Sequence, residues 1–153
     1  MGFERLINTI EGVAVNSGGL AEFDLFEETR KFFSRADIQK WMIETNQDNL
    51  YDKQEDARGN RMPPYTDRTA KHKRRRNLPD KYYTYYETGE TYESLTVYVE
   101  DTFVAIYPDH ERAPEYAHLL DANAWGIQKG DLEEKREEIL TTIQTNLRAY
   151  ING

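Results

Sequence analysis

Hydrophobic positions recur at helical spacing in the first part of the chain. Phe3, Leu6, Ile7 and Ile10 fall on one face of a first predicted helix, which we expect to end before the turn-like segment 16–19. A side chain on that face meets its neighbours three or four residues away, as an amphipathic helix requires.

Two further helices are predicted before residue 46. The second covers 21–33, and the polar segment 34–37 separates it from the third. The third helix has a hydrophobic face made of Ile38, Trp41 and Met42. Large apolar side chains at these spacings are typical core residues, so we expect these helices to pack on a sheet.

The clearest strand pattern lies near the middle of the chain. Residues 95–99 and 103–107 are rich in β-branched and aromatic side chains, and only 100–102 separate them. A connection this short predicts an antiparallel hairpin.

The C-terminal third is predicted to be mostly helical. Residues 115–123 are expected to form a short helix, and Trp125-Gly126-Ile127 a brief strand. A long helix is predicted over 131–150, with Asp131 as its N-cap and Glu134 as the capping-box partner. The hydrophobic stripe of that helix consists of Ile139, Leu140, Ile143, Leu147, Tyr150 and Ile151.

Together these elements predict an α+β fold. A small antiparallel sheet is packed by N- and C-terminal helices within one domain, 1–153. Between helix and hairpin, residues 46–92 are predicted to be a long extended loop, or arm. Long irregular segments in a compact domain are usually functional or disordered, so function is sought here.

The loop has three recognisable parts. Pro63-Pro64-Tyr65 is expected to be extended because a residue before proline is kept out of the α region. Residues 69–76 could form a short helix, but the five Lys or Arg in 71–76 repel one another and are expected to hinder it. Without anionic partners this segment is expected to be mobile. The tyrosines at 82–86 suit either an interface edge or a strand.

Charge separates this loop from the rest of the chain. Residues 58–81 hold nine Lys or Arg and two Asp, a net charge of +7, whereas the remainder carries −15. The body is therefore a poor partner for phosphates, although the loop is not. An acidic body with a basic patch suits head-to-tail self-assembly, in which two different patches meet.

Composition excludes several classes of function. The chain has no cysteine, so disulfides, thiolate metal sites and thiol catalysis are excluded. No apolar run is long enough to cross a membrane, and the first residues lack the pattern of a secretory signal. No phosphate-binding glycine loop or nucleophile elbow is present, so we expect no enzyme and no cofactor.

One cluster has metal-ligand residue types. His110, Glu111, Glu115 and His118 lie within nine residues, but their spacing fits no zinc motif and Pro114 divides them. We interpret them as a solvated connector, and no metal site is predicted.

Short motifs between residues 64 and 126 resemble a family of phage morphogenesis proteins. Pro64-Tyr65-Thr66 with Thr69 and Lys71 resembles the loop segment of that family, and Thr88-Gly89-Glu90-Thr91-Tyr92-Glu93-Ser94-Leu95 resembles its hairpin opening. Tyr116-Ala117-His118-Leu119-Leu120-Asp121 and Trp125-Gly126 resemble the segments that follow. The family includes tail-completion and neck proteins of long-tailed phages and Mu-like virion morphogenesis proteins.

The resemblance implies a structural role without catalysis. The chain would be a ring subunit, a head-to-tail connector or tail terminator, in the neck or tail of a virion assembled in the bacterial cytoplasm. Its partners would be further copies of itself and neighbouring neck, portal or tail proteins, with no membrane.

Three interpretations of the basic run remain open: a solvated charge run, contact with an acidic surface of a neighbouring subunit, and contact with channel DNA. The alternative function is accordingly a small nucleic-acid-binding accessory protein. Deletion of 59–76 is expected to block assembly and leave the fold intact. The candidate interaction residues are Tyr51, Tyr65, Lys71, Lys73, Arg74, Arg75, Arg76, Tyr82, Tyr83, Tyr85 and Tyr86.

Overall fold

The computed structural model describes residues 24–100, 103–109 and 124–152. The expected first helix, the predicted helix 115–123 and the His110–His118 cluster lie outside these residues. The described elements, in chain order, are α1 (Leu25–Phe33), α2 (Ala36–Asp48), a π-helical turn (Asn49–Lys53), α3 (Asp67–Arg75), the short α4 (Glu90–Glu93), β1 (Leu95–Val99), β2 (Val104–Pro108) and α5 (Lys129–Asn152).

Helices α1 and α2 are divided where the sequence predicted. The Asp24 side chain caps α1 by accepting a hydrogen bond from the Glu27 amide at 3.0 Å. The break falls at Ser34 and Arg35, after which α2 begins. The predicted interruption and the following helix are confirmed.

The hairpin forms the layer on which the helices pack. β1 and β2 pair antiparallel, with Leu95 opposite Pro108 and Val99 opposite Val104. Alternate side chains point inward, and this face joins α1, α2 and α5 in one core. The buried residues of that core are Phe32, Phe33, Ile38, Met42, Leu95, Val97, Ile106, Ile139 and Ile143. The predicted α+β fold is confirmed.

Helix α5 differs from its prediction at both ends. It begins at Lys129, so Asp131 lies inside the first turn instead of capping it. The Asp131 carboxylate accepts a hydrogen bond from Asn49 Nδ2 at 2.8 Å, a contact that local sequence does not reveal. At the other end Tyr150 and Ile151 are 45% and 48% exposed. A helix of 24 residues is about 36 Å long, whereas five-residue strands span about 17 Å, so the stripe continues beyond the sheet.

Residues 125–127 do not form the predicted strand. Gly126 has φ +147°, and a Cβ there would lie 3.0 Å from the Cβ of Ala57. The chain bends at this position because its backbone passes close to the segment that follows α2. Within the described ranges, no helix is both long and apolar enough to cross a membrane.

Candidate functional site

The predicted loop, 46–92, starts too early, because α2 continues to Asp48 and the π-helical turn follows it. Residues 49–94 connect α2 to the hairpin, partly through irregular stretches, but they do not extend away as an arm. Two backbone hydrogen bonds hold the segment closed: Tyr65 donates to the Lys81 carbonyl at 3.0 Å, and Tyr83 donates to the Pro63 carbonyl at 2.9 Å. Helix α3 lies between these paired ends. The segment folds back because it has a hydrophobic core of its own.

That second core, here called the tyrosine core, joins the segment to the body. Leu50, Met62, Tyr92 and Ala124 are buried at its centre. The half-buried aromatic residues packed against it are Tyr51, Tyr82, Tyr83, Tyr85, Tyr86 and Trp125. Most of the tyrosines predicted to bind a partner therefore stabilise the chain itself.

Ring contacts run through the tyrosine core in two groups. In one, the ring of Tyr86 lies 5.0 Å from that of Tyr51 and 5.2 Å from that of Tyr92, both nearly edge to face. In the other, Tyr65 meets Tyr83 at 4.5 Å, and the ring series continues through Tyr85 to Trp125. Such pairs stabilise a packed core beyond simple burial. Residues 82–86 do not form a strand; Tyr82 makes only an isolated bridge with Pro64.

Hydrogen bonds to Thr84 satisfy several of the polar groups inside this core. Thr84 is fully buried, and its amide donates to Tyr65 Oη at 3.0 Å. Its carbonyl accepts from Tyr92 Oη at 2.7 Å. Burial, together with neighbouring tyrosines and Asp52, raises the pKa of Tyr92 far above its ordinary value. Tyr92 is therefore a neutral, donating phenol under all native conditions.

Most of the basic run lies in helix α3, Asp67–Arg75. Thr66 caps this helix by accepting from the Thr69 amide at 3.3 Å. Its anionic partners come from the residues that follow it. Arg74 Nε donates to Asp80 at 2.7 Å, and Arg76 pairs with Glu87. A mobile segment was expected only without anionic partners, and the neutralising carboxylates lie outside the run itself.

Lys73 is the inward anchor of α3. Its side chain is only 4% exposed, and Nζ lies 3.3 Å from Glu87 Oε2. Nζ also donates to the Tyr86 carbonyl and lies 4.9 Å from the centre of the Tyr65 ring. A buried ammonium group needs such partners. The charge of Lys73 is thus used within the chain, a role that its prediction as an interaction residue did not include.

Glu87 gathers three of the basic side chains. Besides Lys73 and Arg76, His72 Nε2 lies 3.1 Å from its carboxylate. Partial burial opposes ionisation of Glu87, but hydrogen bonds and charges from Lys73, His72 and Arg76 outweigh it and hold the pKa below its ordinary value. This carboxylate is ionised near neutral pH and holds α3 in place.

The opposite side of α3 is different. Arg68, Lys71, His72 and Arg75 occur at i, i+3, i+4 and i+7, which places them along one helix face, and all four are exposed. His72 faces Glu87. None of the ion pairs found within residues 24–100, 103–109 and 124–152 involves the other three. We call Arg68, Lys71 and Arg75 the basic face.

Side-chain amides, which sequence reasoning missed, attach α2 and the segment after it to residues 124–128. Asn46 Nδ2 donates to the carbonyls of Ala124 and Gly126 at 3.2 and 2.9 Å. Gln128 Nε2 donates to the Asp56 carbonyl at 3.1 Å. Asn46 occupied a position assigned to the start of the loop, where a polar residue raised no expectation of burial.

No described group of three or more His, Asp or Glu side chains is arranged to hold a metal ion. Several acidic and basic side chains instead pair with each other on the surface, and in the described part of the chain the basic face does not. What the arrangement offers chemically is recognition of anions by the basic face.

Comparison of the chain with protein-family models, curated proteins and solved structures finds no significant match. The resemblance to phage morphogenesis proteins therefore stays a prediction, and we infer function from the geometry of this segment.

Proposed function

We propose that this protein is a non-catalytic structural subunit of a tailed-phage virion, a neck or tail-completion ring protein that assembles with copies of itself and with adjoining neck, portal or tail proteins. The observation that carries the proposal is an ordered separation of charge. A segment of net charge +7 is fixed on a body of net charge −15, and its basic face is exposed.

Ordered charge separation suits heterologous contacts. A ring needs two different surfaces on each subunit, one of which meets the other on the next copy. The tyrosine core and the Lys73–Glu87 pair fix α3 on the body. Because α3 is already ordered, docking would not require the entropy loss of folding a mobile arm.

The motif resemblance supports the phage assignment, and two of its residues have definite structural tasks. Tyr65 holds the Thr84 backbone, and Gly89 has φ +100° at the N-cap of α4. A positive φ at that position favours glycine. Both motifs thus belong to the folded basic segment and the start of the hairpin.

The test is the oligomeric state of the purified chain. Light scattering after gel filtration, together with negative-stain images, is expected to show closed rings, either alone or after addition of portal or tail proteins. Monomers under every one of these conditions would contradict the proposal.

Deletion of 59–76 is not a clean test, although it was expected to spare the fold. It removes Met62 from the tyrosine core and the Lys73 anchor, which are 2% and 3% exposed. Loss of assembly in that variant would report unfolding. Substitutions on the basic face avoid this problem.

The second candidate is a nucleic-acid-binding accessory protein, favoured by the same basic face. If three basic side chains contact phosphates, affinity for DNA is expected to fall as salt rises. A plot of log affinity against log salt concentration would then have a slope of about −2.7. Substitution of Arg68, Lys71 and Arg75 by Ala is then expected to abolish retention of DNA in a filter-binding assay. An absence of DNA retention by the unmodified chain at low salt would end this candidate.

A further inference from the structure

Only part of the basic run is used inside the chain. Lys73, Arg74 and Arg76 pair with Glu87 and Asp80. The geometry points to the remaining part, the basic face, as one half of a contact between copies whose other half is an acidic face on α5 of the next copy. This inference rests on the proposed self-assembly and adds the two surfaces that meet.

The basic face is suited to a rod-like partner. Arg68 and Arg75 are separated by two helical turns, about 10.5 Å along the axis, with Lys71 between them. All three are exposed, and the buried Lys73 on the opposite side prevents α3 from rotating. A row of cations on a fixed helix matches a row of carboxylates on another helix.

Such a row occurs on α5. Glu133, Glu134 and Glu137 are exposed on its solvent side, and none of the ion pairs among the described residues involves them. Their neighbour Glu138 is used internally, because it pairs with Lys135 and lies 3.5 Å from Arg35. We call Glu133, Glu134 and Glu137 the acidic face.

Position near the N-terminus of α5 gives these carboxylates a local role as well, since negative charge there complements the helix dipole. The helix dipole explains negative charge at Asp131 and elsewhere in the first turn, but its stabilising effect on a carboxylate fades beyond that turn. Glu137 lies two turns into the helix, where the dipole gives it little stabilisation. The row thus extends further than helix stability requires.

The two faces belong to different copies because neither can reach the other within one chain. Lys73 fixes α3, and the buried Ile139 and Ile143 fix α5 on the hairpin core. No ion pair among the described residues joins the two faces. Contact between two unlike patches on successive copies is heterologous, and it closes into a ring when the rotation between copies permits.

The basic face is better suited to an acidic protein surface than to nucleic acid. The surface around the basic face belongs to a chain whose remainder carries −15, which repels an extended polyanion but not a local acidic patch. Exposed ion pairs are individually weak, so this contact selects which surfaces meet and accelerates their encounter.

The experiment compares three variants of the full chain. The first carries Arg68→Glu, Lys71→Glu and Arg75→Glu. The second carries Glu133→Lys, Glu134→Lys and Glu137→Lys. A matched control with the same charge change as the first carries Arg58→Glu, Lys81→Glu and Arg148→Glu, at exposed positions on neither face.

Self-association is measured by analytical ultracentrifugation at low and physiological salt. Each face variant alone is expected to associate at least about tenfold more weakly than the unmodified chain, because like charges then meet across the contact. An equimolar mixture of the two is expected to recover association, because each supplies the surface that the other lacks. The control is expected to stay close to the unmodified chain. Circular dichroism melting confirms that all variants are folded.

Different failures have different meanings. If both face variants assemble as well as the control, the two faces are not the contact and the proposed ring function stands. If the unmodified chain assembles only with portal or tail proteins, the contact between copies is refuted and the structural function stands. If it binds DNA through the basic face and never self-associates, both proposals are refuted.

Discussion

Lys73→Met is the substitution that tests most directly how the basic segment is held. Methionine keeps an apolar stem of similar length and removes the ammonium group. The Tyr86 carbonyl then loses its donor, and Glu87 loses the buried member of its three basic partners. Hydrogen bonds to charged groups contribute about 1.5–3 kcal/mol.

Two effects reduce this figure. Glu87 is 46% exposed, so water screens its attraction to Lys73. Removing one cation from a run of like charges also relieves repulsion worth about 0.2–0.5 kcal/mol per neighbouring pair. We therefore expect a loss of about 2 kcal/mol in the free energy of unfolding, or about 4–8 °C in Tm for a chain of this size.

Urea denaturation followed by tryptophan fluorescence is a suitable assay, because Trp125 packs against the tyrosine core. Lys71→Met is the matched control: it removes the same charge from the exposed side of the same helix and is expected to change stability by less than about 0.5 kcal/mol. If Lys73→Met proves as stable as Lys71→Met, the anchor is not a stabilising contact and the argument for a rigid basic face fails.

The remaining predictions concern other contacts of the same segment. Since Glu87 has a pKa below its ordinary 4.5, its stabilising effect is present above pH 4.5 and is lost as the pH falls through the lowered value; the stability difference between the unmodified chain and Glu87→Gln should therefore vanish in acid, as urea titrations at several pH values will measure. Tyr92→Phe leaves the buried Thr84 carbonyl without its donor and is expected to cost about 1–2 kcal/mol in the same assay. Asn46→Ala removes two hydrogen bonds to backbone carbonyls and is expected to cost about 2–3 kcal/mol; a value near zero would mean that the amide does not hold the segment.

Periodic hydrophobic patterns predicted the part of the fold that depends on local sequence. The hairpin, α2 and most of α5 were predictable because each buries one face at a regular spacing, and that spacing is visible in a short window. The start of α5 was not, because Asp131 looks like a cap until its bond to Asn49, from a distant part of the chain, is known.

The candidate site was predictable only in outline. Its location and charge followed from composition, since no other stretch concentrates Lys and Arg as 71–76 does. Its conformation did not follow, because the carboxylate that neutralises Lys73 is 14 residues further along the chain, at Glu87. Tyrosines have apolar bodies and polar tips, so they suit a core and an interface equally well. The tyrosines pack in a core because Leu50 and Met62 supply a buried centre for their rings, and the sequence does not show that these two residues lie beside them.

The basic side chains of α3 lie on two sides of the helix, and substitutions on the two sides are expected to have different effects. On the inner side, Lys73 contributes to folding, and its loss is expected to lower the free energy of unfolding. On the outer side, Arg68 and Arg75 make no ion pair among the described residues, so their loss is expected to leave stability unchanged and alter only association. Stability and binding are usually entangled when the same segment serves both. On α3 the buried contacts lie on one side and the proposed contact on the other, so substitutions on the outer side are a fair test of assembly.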